Sequence, residues 1–141
     1  MNAEVLLVQA DPELVETLSL SLREHGFSVV TVTTRQEALA LTQRREFDVV
    51  VLDLIMAGVD CIALMRDIKN LMPLTEVIFI CDEDGIGAAA KGIRLGAFDY
   101  ALKSVAVEEL PEKIRQARAR KARQEDKIRM AEEECGEGCS A

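Results

Sequence analysis

The sequence predicts an α/β domain in which a doubly wound, five-stranded parallel sheet is covered by helices on both faces. Short apolar segments alternate five times with longer segments that have helical periodicity. The apolar segments are nearly continuous, as expected for strands that are buried on both faces. The intervening segments are long enough for the right-handed crossovers that join parallel strands. A chain of 141 residues suits one such domain.

The first strand and the first helix are indicated by the run EVLLV and by the proline that follows it. Residues 4–8 are apolar after the first position. Asp11 and Pro12 then start a helix, because aspartate accepts backbone N–H groups at an N-cap and proline suits the first turn. Gly26 ends this helix. We expect its apolar side to consist of Leu14, Val15, Leu18, Leu20 and Leu22.

The remaining elements follow from the same signals. Strands are predicted at residues 27–32, 49–53, 76–81 and 98–102. Helices are predicted at residues 35–45, 61–71 and 85–95, and from about residue 105 onward. Thr34 caps the second helix, and Pro73 and Gly96 end the third and fourth. In such a sheet the ligand site lies at the carboxyl ends of the strands, where the strand order reverses.

Composition and charge exclude several classes of protein. The formal net charge is −8, and the acidic residues are concentrated in the body of the chain, which argues against nucleic-acid binding by that part. The apolar runs are too short to span a membrane, and no signal-peptide pattern is present. We therefore expect a cytoplasmic protein that binds neither nucleic acid nor membrane.

The four cysteines do not follow a zinc-binding pattern, and His25 has no partner at zinc-site spacing. Cys61 and Cys81 are expected to pack as small core residues. Cys135 and Cys139, in CGEGC, are open to three interpretations. They could bind a metal, close a disulfide, or be two thiols in a flexible tail.

Asp53 stands where the third strand ends, directly after four apolar residues. An unpaired carboxylate inside the sheet would be costly, but at the rim it can be solvated and paired. The other residues expected at this rim are Gln9, Ala10, Cys81, Asp82 and Lys103. A lysine across the strand-end cleft would pair with Asp53, or would hold a phosphoryl oxygen if Asp53 were phosphorylated.

These features resemble the receiver domain of two-component response regulators. The resemblance covers residues 3 to about 118 and rests on VLLVQADPEL, DVVVLDLIMAGVD, EVIFIC and GAFDYALKS. It implies the flavodoxin-like (βα)5 receiver fold and a phosphorelay signalling module rather than an enzyme. A sensor histidine kinase or another signalling protein is the expected partner. We expect the receiver domain at residues 1–118, and a helical extension with a flexible tail at residues 119–141.

The resemblance also implies roles for individual residues. Asp53 matches the phosphoacceptor, and Lys103 matches the lysine that contacts the phosphoryl group. Cys81 stands where the family has a serine or threonine that bonds the same group, although its S–H is a weaker donor. Tyr100 matches the aromatic switch position. Partners would dock around Tyr100, on the face built by the fourth helix, the fifth strand and the fifth helix.

The sequence departs from the family at the acidic pocket. Receivers usually carry two acidic residues after the first strand that help to bind Mg²⁺, and here these positions are Gln9 and Ala10. Because Mg²⁺ binds through carboxylates, we expect it to bind weakly or not at all. Phosphorylation of Asp53 would then be weak or absent, and signalling would proceed by protein contact. The alternative is a conventional aspartyl-phosphate regulator in which Asp82 or Asp11 replaces a missing acid.

A further alternative is a doubly wound enzyme that binds a nucleotide. Two observations argue against it. The first strand leads into QADPEL rather than a glycine-rich loop, and no nucleophile–base pair can be identified because His25 stands alone at a helix end.

The chain continues past the fifth helix with strong helix formers, at residues 111–134. Apolar residues recur there at spacings of four and three, but polar residues interrupt the middle of the pattern. The heptad positions are Leu110, Ile114, Ala117, Lys121, Gln124, Ile128 and Ala131. Two interpretations remain open, a solvated helix and a signalling helix that leads to an output domain or joins two receivers as a homodimer. No nucleic-acid-reading motif is present.

Overall fold

The computed structural model describes residues 2–56 and 58–138. Its strands are β1 (Glu4–Val8), β2 (Ser28–Val32), β3 (Val49–Asp53), β4 (Glu76–Cys81) and β5 (Asp99–Leu102). Its helices are α1 (Pro12–Glu24), α2 (Arg35–Thr42), α3 (Cys61–Leu71), α4 (Ile86–Arg94) and α5 (Ala106–Gly138). Short 3₁₀ turns precede α4 and α5.

The five strands form one parallel sheet in the order β2-β1-β3-β4-β5. This order confirms the predicted doubly wound sheet. The chain leaves β1 toward β2 on one side and later returns to place β3 on the other side. A crevice therefore lies at the carboxyl ends of β1 and β3, where the order reverses.

Each face of the sheet packs against its own set of helices. On one face, Leu18 and Leu22 of α1 and Ile114 of α5 are fully buried. On the other face, the buried residues of α2, α3 and α4 include Ala38, Leu64 and Ala89. Because each large aliphatic side chain buried in this way contributes roughly 1.5–3 kcal/mol, these two apolar layers hold the sheet in place.

The expected position of Leu20 on the buried side of α1 is wrong, because its side chain is 60% exposed. Leu18 and Leu22 are one turn apart and both face the core, which places Leu20, midway between them, on the opposite side of the helix. Ser19 takes an inner position instead, and its hydroxyl donates a hydrogen bond to the carbonyl of Val15. Burial of a small hydroxyl is tolerated here because its donor is satisfied.

Smaller differences concern the ends of elements. Helix α2 ends at Thr42 rather than near residue 45, and β2 and β5 each begin one residue later than predicted. Gly26 follows α1 with φ at 88°, which confirms its role in ending that helix. No helix within the described residues is long and apolar enough to cross a membrane.

Helix α5 is tied to the amino end of β3 by ion pairs. Lys121 Nζ lies 3.3 Å from Asp48 Oδ1, and Arg118 Nε lies 3.8 Å from Asp48 Oδ2. The Lys121 side chain is 9% exposed. Burial alone would lower its pKa, but the hydrogen bonds to Glu125 and Asp48 outweigh burial and raise the pKa of Lys121. Lys121, at the middle of the heptad pattern, therefore anchors the helix to its own domain.

A third ion pair extends the attachment to β4, where Arg120 Nε lies 3.1 Å from the buried Glu76 Oε2. The first three heptad positions of α5, Leu110, Ile114 and Ala117, are fully buried in the domain core. Beyond Lys121 every residue through 135 is exposed. A contact between two copies along these heptad positions could therefore use only the part of α5 that follows Lys121.

The prediction made for the cysteines holds for Cys61 and Cys81. Cys61 and Cys81 are 3% and 0% exposed, which confirms that they pack in the core. Cys135 is disulfide-bonded. Cys139 lies outside the described residues, as do residues 140 and 141.

Candidate functional site

The carboxylate of Asp53 is buried and fully engaged at the end of β3. Its side chain is 3% exposed, and Lys103 Nζ lies 3.0 Å from its Oδ2 atom. Its Oδ1 atom accepts a hydrogen bond from the backbone N–H of Ile55 at 3.0 Å. The predicted pairing of Asp53 with Lys103 is therefore present, and the buried negative charge is balanced by a cation at contact distance.

Gln9 lies beside Asp53 at the end of the neighbouring strand. The register pairs Val8 with Leu52, so the next residue on each strand reaches the rim side by side. Gln9 is 1% exposed, and its Oε1 atom accepts a hydrogen bond from the backbone N–H of Asp11 at 2.9 Å. Its Nε2 atom is buried without a hydrogen-bond partner among the described residues. Gln9 therefore brings a neutral amide, and no negative charge, to this position.

The two substitute acids considered from sequence are placed differently. Asp11 is exposed, and its Oδ1 atom accepts a hydrogen bond from the backbone N–H of Glu13 at 3.0 Å, as predicted for the N-cap of α1. Asp82 is exposed at the end of β4, and its side chain caps no helix. Asp82 and Lys103 both line an open cavity of about 420 Å³. Asp82 is therefore free to turn, whereas Asp11 is held by its helix.

These residues do not fit a magnesium ion of the kind that the receiver fold is expected to hold. Mg²⁺ requires near-octahedral oxygen coordination and binds through carboxylates. The carboxylate of Asp53 pairs with Lys103, and the Gln9 side-chain oxygen accepts a hydrogen bond from a backbone N–H. Ala10 has no side-chain oxygen that could bind a metal. Among the described residues, no group of three or more His, Cys, Asp or Glu side chains could hold a metal ion.

Cys81 ends β4 in a tightly packed environment. Burial raises the pKa of its thiol, the charges of Asp82 and Asp53 raise it further, and the charge of Lys103 lowers it. The thiol is therefore protonated at neutral pH, when its S–H is only a weak donor. A Cβ atom added to Gly85 would lie 2.9 Å from the Cys81 Cβ atom, so this glycine lets the β4–α4 loop approach the strand end. The contact of Cys81 with a phosphoryl group stays a prediction.

Sequence reasoning missed the contribution of Cys61 to the site. Its Sγ atom lies 2.9 Å from the main-chain carbonyl oxygen of Asp53, to which its S–H donates. Burial, followed by the charge of Asp53, raises the pKa of the Cys61 thiol to about 11. The contact forms because the β3–α3 loop turns back at Gly58, whose φ is 72°, and forms a bridge between Met56 and Val59. Gly58 was the available signal for this turn.

Tyr100 lies in β5 and is half-buried against the core on the α4 side of the sheet. Asp99, the residue before it, pairs with Lys113 of α5 at 2.7 Å and so ties β5 to that helix. Helix α4 exposes Ile86 and Ile93 on its outer side. The face predicted for partner docking therefore carries exposed apolar side chains in this structure.

Comparison with known protein families identifies the family of this chain. The model of the response regulator receiver domain matches residues 5–115. This chain belongs to the response regulator receiver family. The predicted identity as a two-component receiver module, a signalling domain, is thereby confirmed.

Curated relatives of this receiver are longer proteins. It is 30% identical over 118 residues to the transcriptional regulatory protein ZraR of Escherichia coli O157:H7. This alignment covers 84% of this chain and 27% of that protein. It is 34% identical over 103 residues to the transcriptional regulatory protein GlrR of Escherichia coli K12. This alignment covers 73% of this chain and 23% of that protein. The receiver therefore spans about a quarter of the length of these relatives.

Solved structures agree with this family assignment. A response regulator receiver domain from Clostridium thermocellum aligns at a TM-score of 0.80 with 25% identity, over 85% of this chain and 97% of that chain. NtrX from Brucella abortus, solved in complex with ADP, aligns at 0.84 with 26% identity, over 89% of this chain and 29% of that chain. The flavodoxin-like receiver fold predicted from sequence is confirmed.

Proposed function

We propose that this receiver transmits signals by protein contact, with weak or absent Mg²⁺-dependent phosphorylation of Asp53. The observation that carries the proposal is the pairing of Asp53 with Lys103 in a pocket without a second buried carboxylate at the end of β1. A charge-balanced pocket has little attraction for a divalent cation. Gln9 and Ala10 add no carboxylate that would change this balance.

The expected kinetic consequence is large. A metal ion neutralises the charge that develops on the phosphoryl oxygens during transfer. Loss of a few kcal/mol of such stabilisation slows transfer by roughly a hundredfold or more. Lys103 would remain as a phosphoryl contact, and Cys81 would offer only a weak hydrogen bond. We therefore assign Asp53 a residual phosphoacceptor role and no catalytic turnover to the domain itself.

The partner in this proposal is a sensor histidine kinase or another signalling protein that docks around Tyr100. The support is that α4 exposes Ile86 and Ile93, and that Tyr100 is half-buried on the same side of the sheet as α4. The receiver proper comprises residues 1–118, and residues 119–141 form the extension. A second copy of the chain, joined through the α5 region, belongs to the same proposal.

The test is labelling of Asp53 by a small phosphodonor such as acetyl phosphate, with and without Mg²⁺. We compare the native chain with Ala10→Asp and with the double variant Gln9→Asp/Ala10→Asp, and Asp53→Asn serves as the blank. Ala10 is exposed, so an aspartate is tolerated there. We expect slow labelling of the native chain, and an increase of roughly a hundredfold in the double variant only when Mg²⁺ is present. Fast, Mg²⁺-dependent labelling of the native chain would contradict the proposal.

A further inference from the structure

A trough runs between helices α3 and α4. Two adjoining cavities, of about 540 and 220 Å³, share Ala63, Arg66 and Leu95 as lining residues. Leu95 is 40% exposed and, with Ala63, gives the trough an apolar floor. Lys91 of α4 lines the smaller cavity. We call these four residues the α3–α4 trough.

The trough carries two cations without partners. Arg66 and Lys91 are exposed, and neither makes an ion pair with any residue that the structure describes. Of the acids nearby, Asp67 pairs with Arg35, whereas Asp60 lines the smaller cavity, accepts a hydrogen bond from the backbone N–H of Ala63 and makes no ion pair with a described residue. The two cations outnumber this one carboxylate. On a chain whose net charge is −8, this is a local excess of positive charge over apolar surface. It suits an occupant that presents carboxylates beside an apolar side chain.

The far end of α5 presents that combination. We call residues 122–135, which are exposed throughout, the arm. Met130 is 57% exposed, and Glu133 and Glu134 lie three and four positions later, on the same side of the helix. Neither glutamate makes an ion pair with a described residue. The arm thus offers an apolar side chain with two carboxylates one turn away.

The arm cannot reach the trough of its own chain. Helix α5 packs on the face of the sheet opposite to α3 and α4, and it runs without interruption from residue 106 to residue 138. Its pairing with Asp48 through Lys121 fixes its direction where it leaves the domain. A second copy must therefore supply the arm.

We propose that the arm of one copy docks in the α3–α4 trough of a second copy. Met130 packs on Leu95, while Glu133 and Glu134 pair with the cations of the trough. This inference rests on the proposed pairing through the α5 region and names the two surfaces that form it. Because the charged groups are exposed, the association is weak and is reduced by salt.

The test uses sedimentation velocity of the full chain over a range of concentrations, at low salt and in 0.5 M salt. The arm variant is Glu133→Lys/Glu134→Lys, and the trough variant is Arg66→Glu/Lys91→Glu. We expect each variant alone to associate at least tenfold more weakly than the native chain. An equimolar mixture of the two variants restores association, because each arm then meets a trough of opposite charge. Glu16→Lys, an exposed change on α1, is the matched control and leaves association unchanged.

The outcomes separate this inference from the broader pairing. All substituted side chains are exposed, and circular dichroism checks that each variant is folded. Association that is lost in the arm variant but unaffected by the trough variant overturns the trough and leaves pairing through α5 in place. A native chain that stays monomeric at every concentration overturns both. Loss in both variants without recovery in the mixture also overturns the inference.

Discussion

Lys103 Nζ lies 3.0 Å from Asp53 Oδ2, in a pocket where the neighbouring strand-end residue is an amide rather than an acid. The lysine therefore balances the charge of the buried carboxylate. The buried carboxylate of Asp53 is tolerated because Lys103 pairs with it. The contribution of this pair to the free energy of unfolding can be measured directly.

Substitution of Lys103 by methionine should destabilise the fold. It leaves the carboxylate of Asp53 buried without its cation, and removal of one partner of such a pair costs about 3 kcal/mol. Urea unfolding followed by circular dichroism measures the change. The double variant Asp53→Asn/Lys103→Met should lose less than Lys103→Met alone, because no unpaired charge remains. A loss that is equal in both would show that Lys103 contributes by packing rather than by pairing.

The anchor of α5 should depend on pH in a defined direction. Hydrogen bonds to Glu125 and Asp48 raise the pKa of Lys121 above that of the unfolded chain despite the opposing effect of burial. A raised lysine pKa stabilises the fold below the unfolded value of 10.5, and this contribution is lost as the pH rises through the folded pKa. Lys121→Met should therefore cost about 2 kcal/mol at pH 8 and less at pH 11. Arg123→Met, an exposed change on the same helix, should show no such difference.

Cys61 should make the fold sensitive to alkali over a different range. Burial, with the charge of Asp53, raises the pKa of its thiol from 9.0 to about 11. The unfolded thiol therefore loses its proton first, so its contribution to stability is present below pH 9 and is lost as the pH rises toward 11. Unfolding free energies measured between pH 8 and pH 11 should fall less steeply in Cys61→Ala than in the native chain. Parallel slopes would contradict the buried, protonated thiol.

Two glycines of α4 should respond in opposite ways to alanine. A Cβ atom at Gly92 would lie 2.3 Å from Cε2 of the buried Phe79, whereas at Gly87 it would meet nothing within 4 Å. Gly92→Ala should therefore destabilise the fold by about 1–3 kcal/mol as the helix shifts away from the ring. Gly87→Ala should stabilise it by up to about 1 kcal/mol, since alanine is the better helix former. Thermal unfolding of the two variants distinguishes them, and equal effects would exclude the close contact.

Sequence reasoning was most successful where one rule determines the answer. The carboxyl ends of parallel strands share one rim, so Asp53 and Lys103 were expected to meet there. The core positions of Cys61 and Cys81 follow equally from their apolar neighbours. Leu20 was placed wrongly because the leucines of α1 alternate with serines at residues 18–22, and in a helix a residue midway between Leu18 and Leu22 lies on the opposite side.

Other features depend on angles and loops that residue patterns do not encode. In the sequence, Lys121 interrupts the apolar heptad pattern. The path of α5 across the sheet brings it to Asp48, which is distant in sequence. The contact of Cys61 with the main chain of Asp53 likewise depends on how the β3–α3 loop turns, and Gly58 signals the turn but not this contact. Both interactions involve residues whose separation in space is set by the tertiary fold.

The most direct test of the account is an amide NMR titration of the full chain with Mg²⁺ and then with beryllofluoride, which mimics a phosphoryl group on aspartate. A charge-balanced pocket without metal ligands predicts no shifts at Asp53, Cys81 and Lys103 at millimolar Mg²⁺. Saturating shifts that begin at Asp53 and spread to Tyr100 would contradict it. They would indicate a conventional phosphoacceptor in which Asp82 supplies the missing carboxylate.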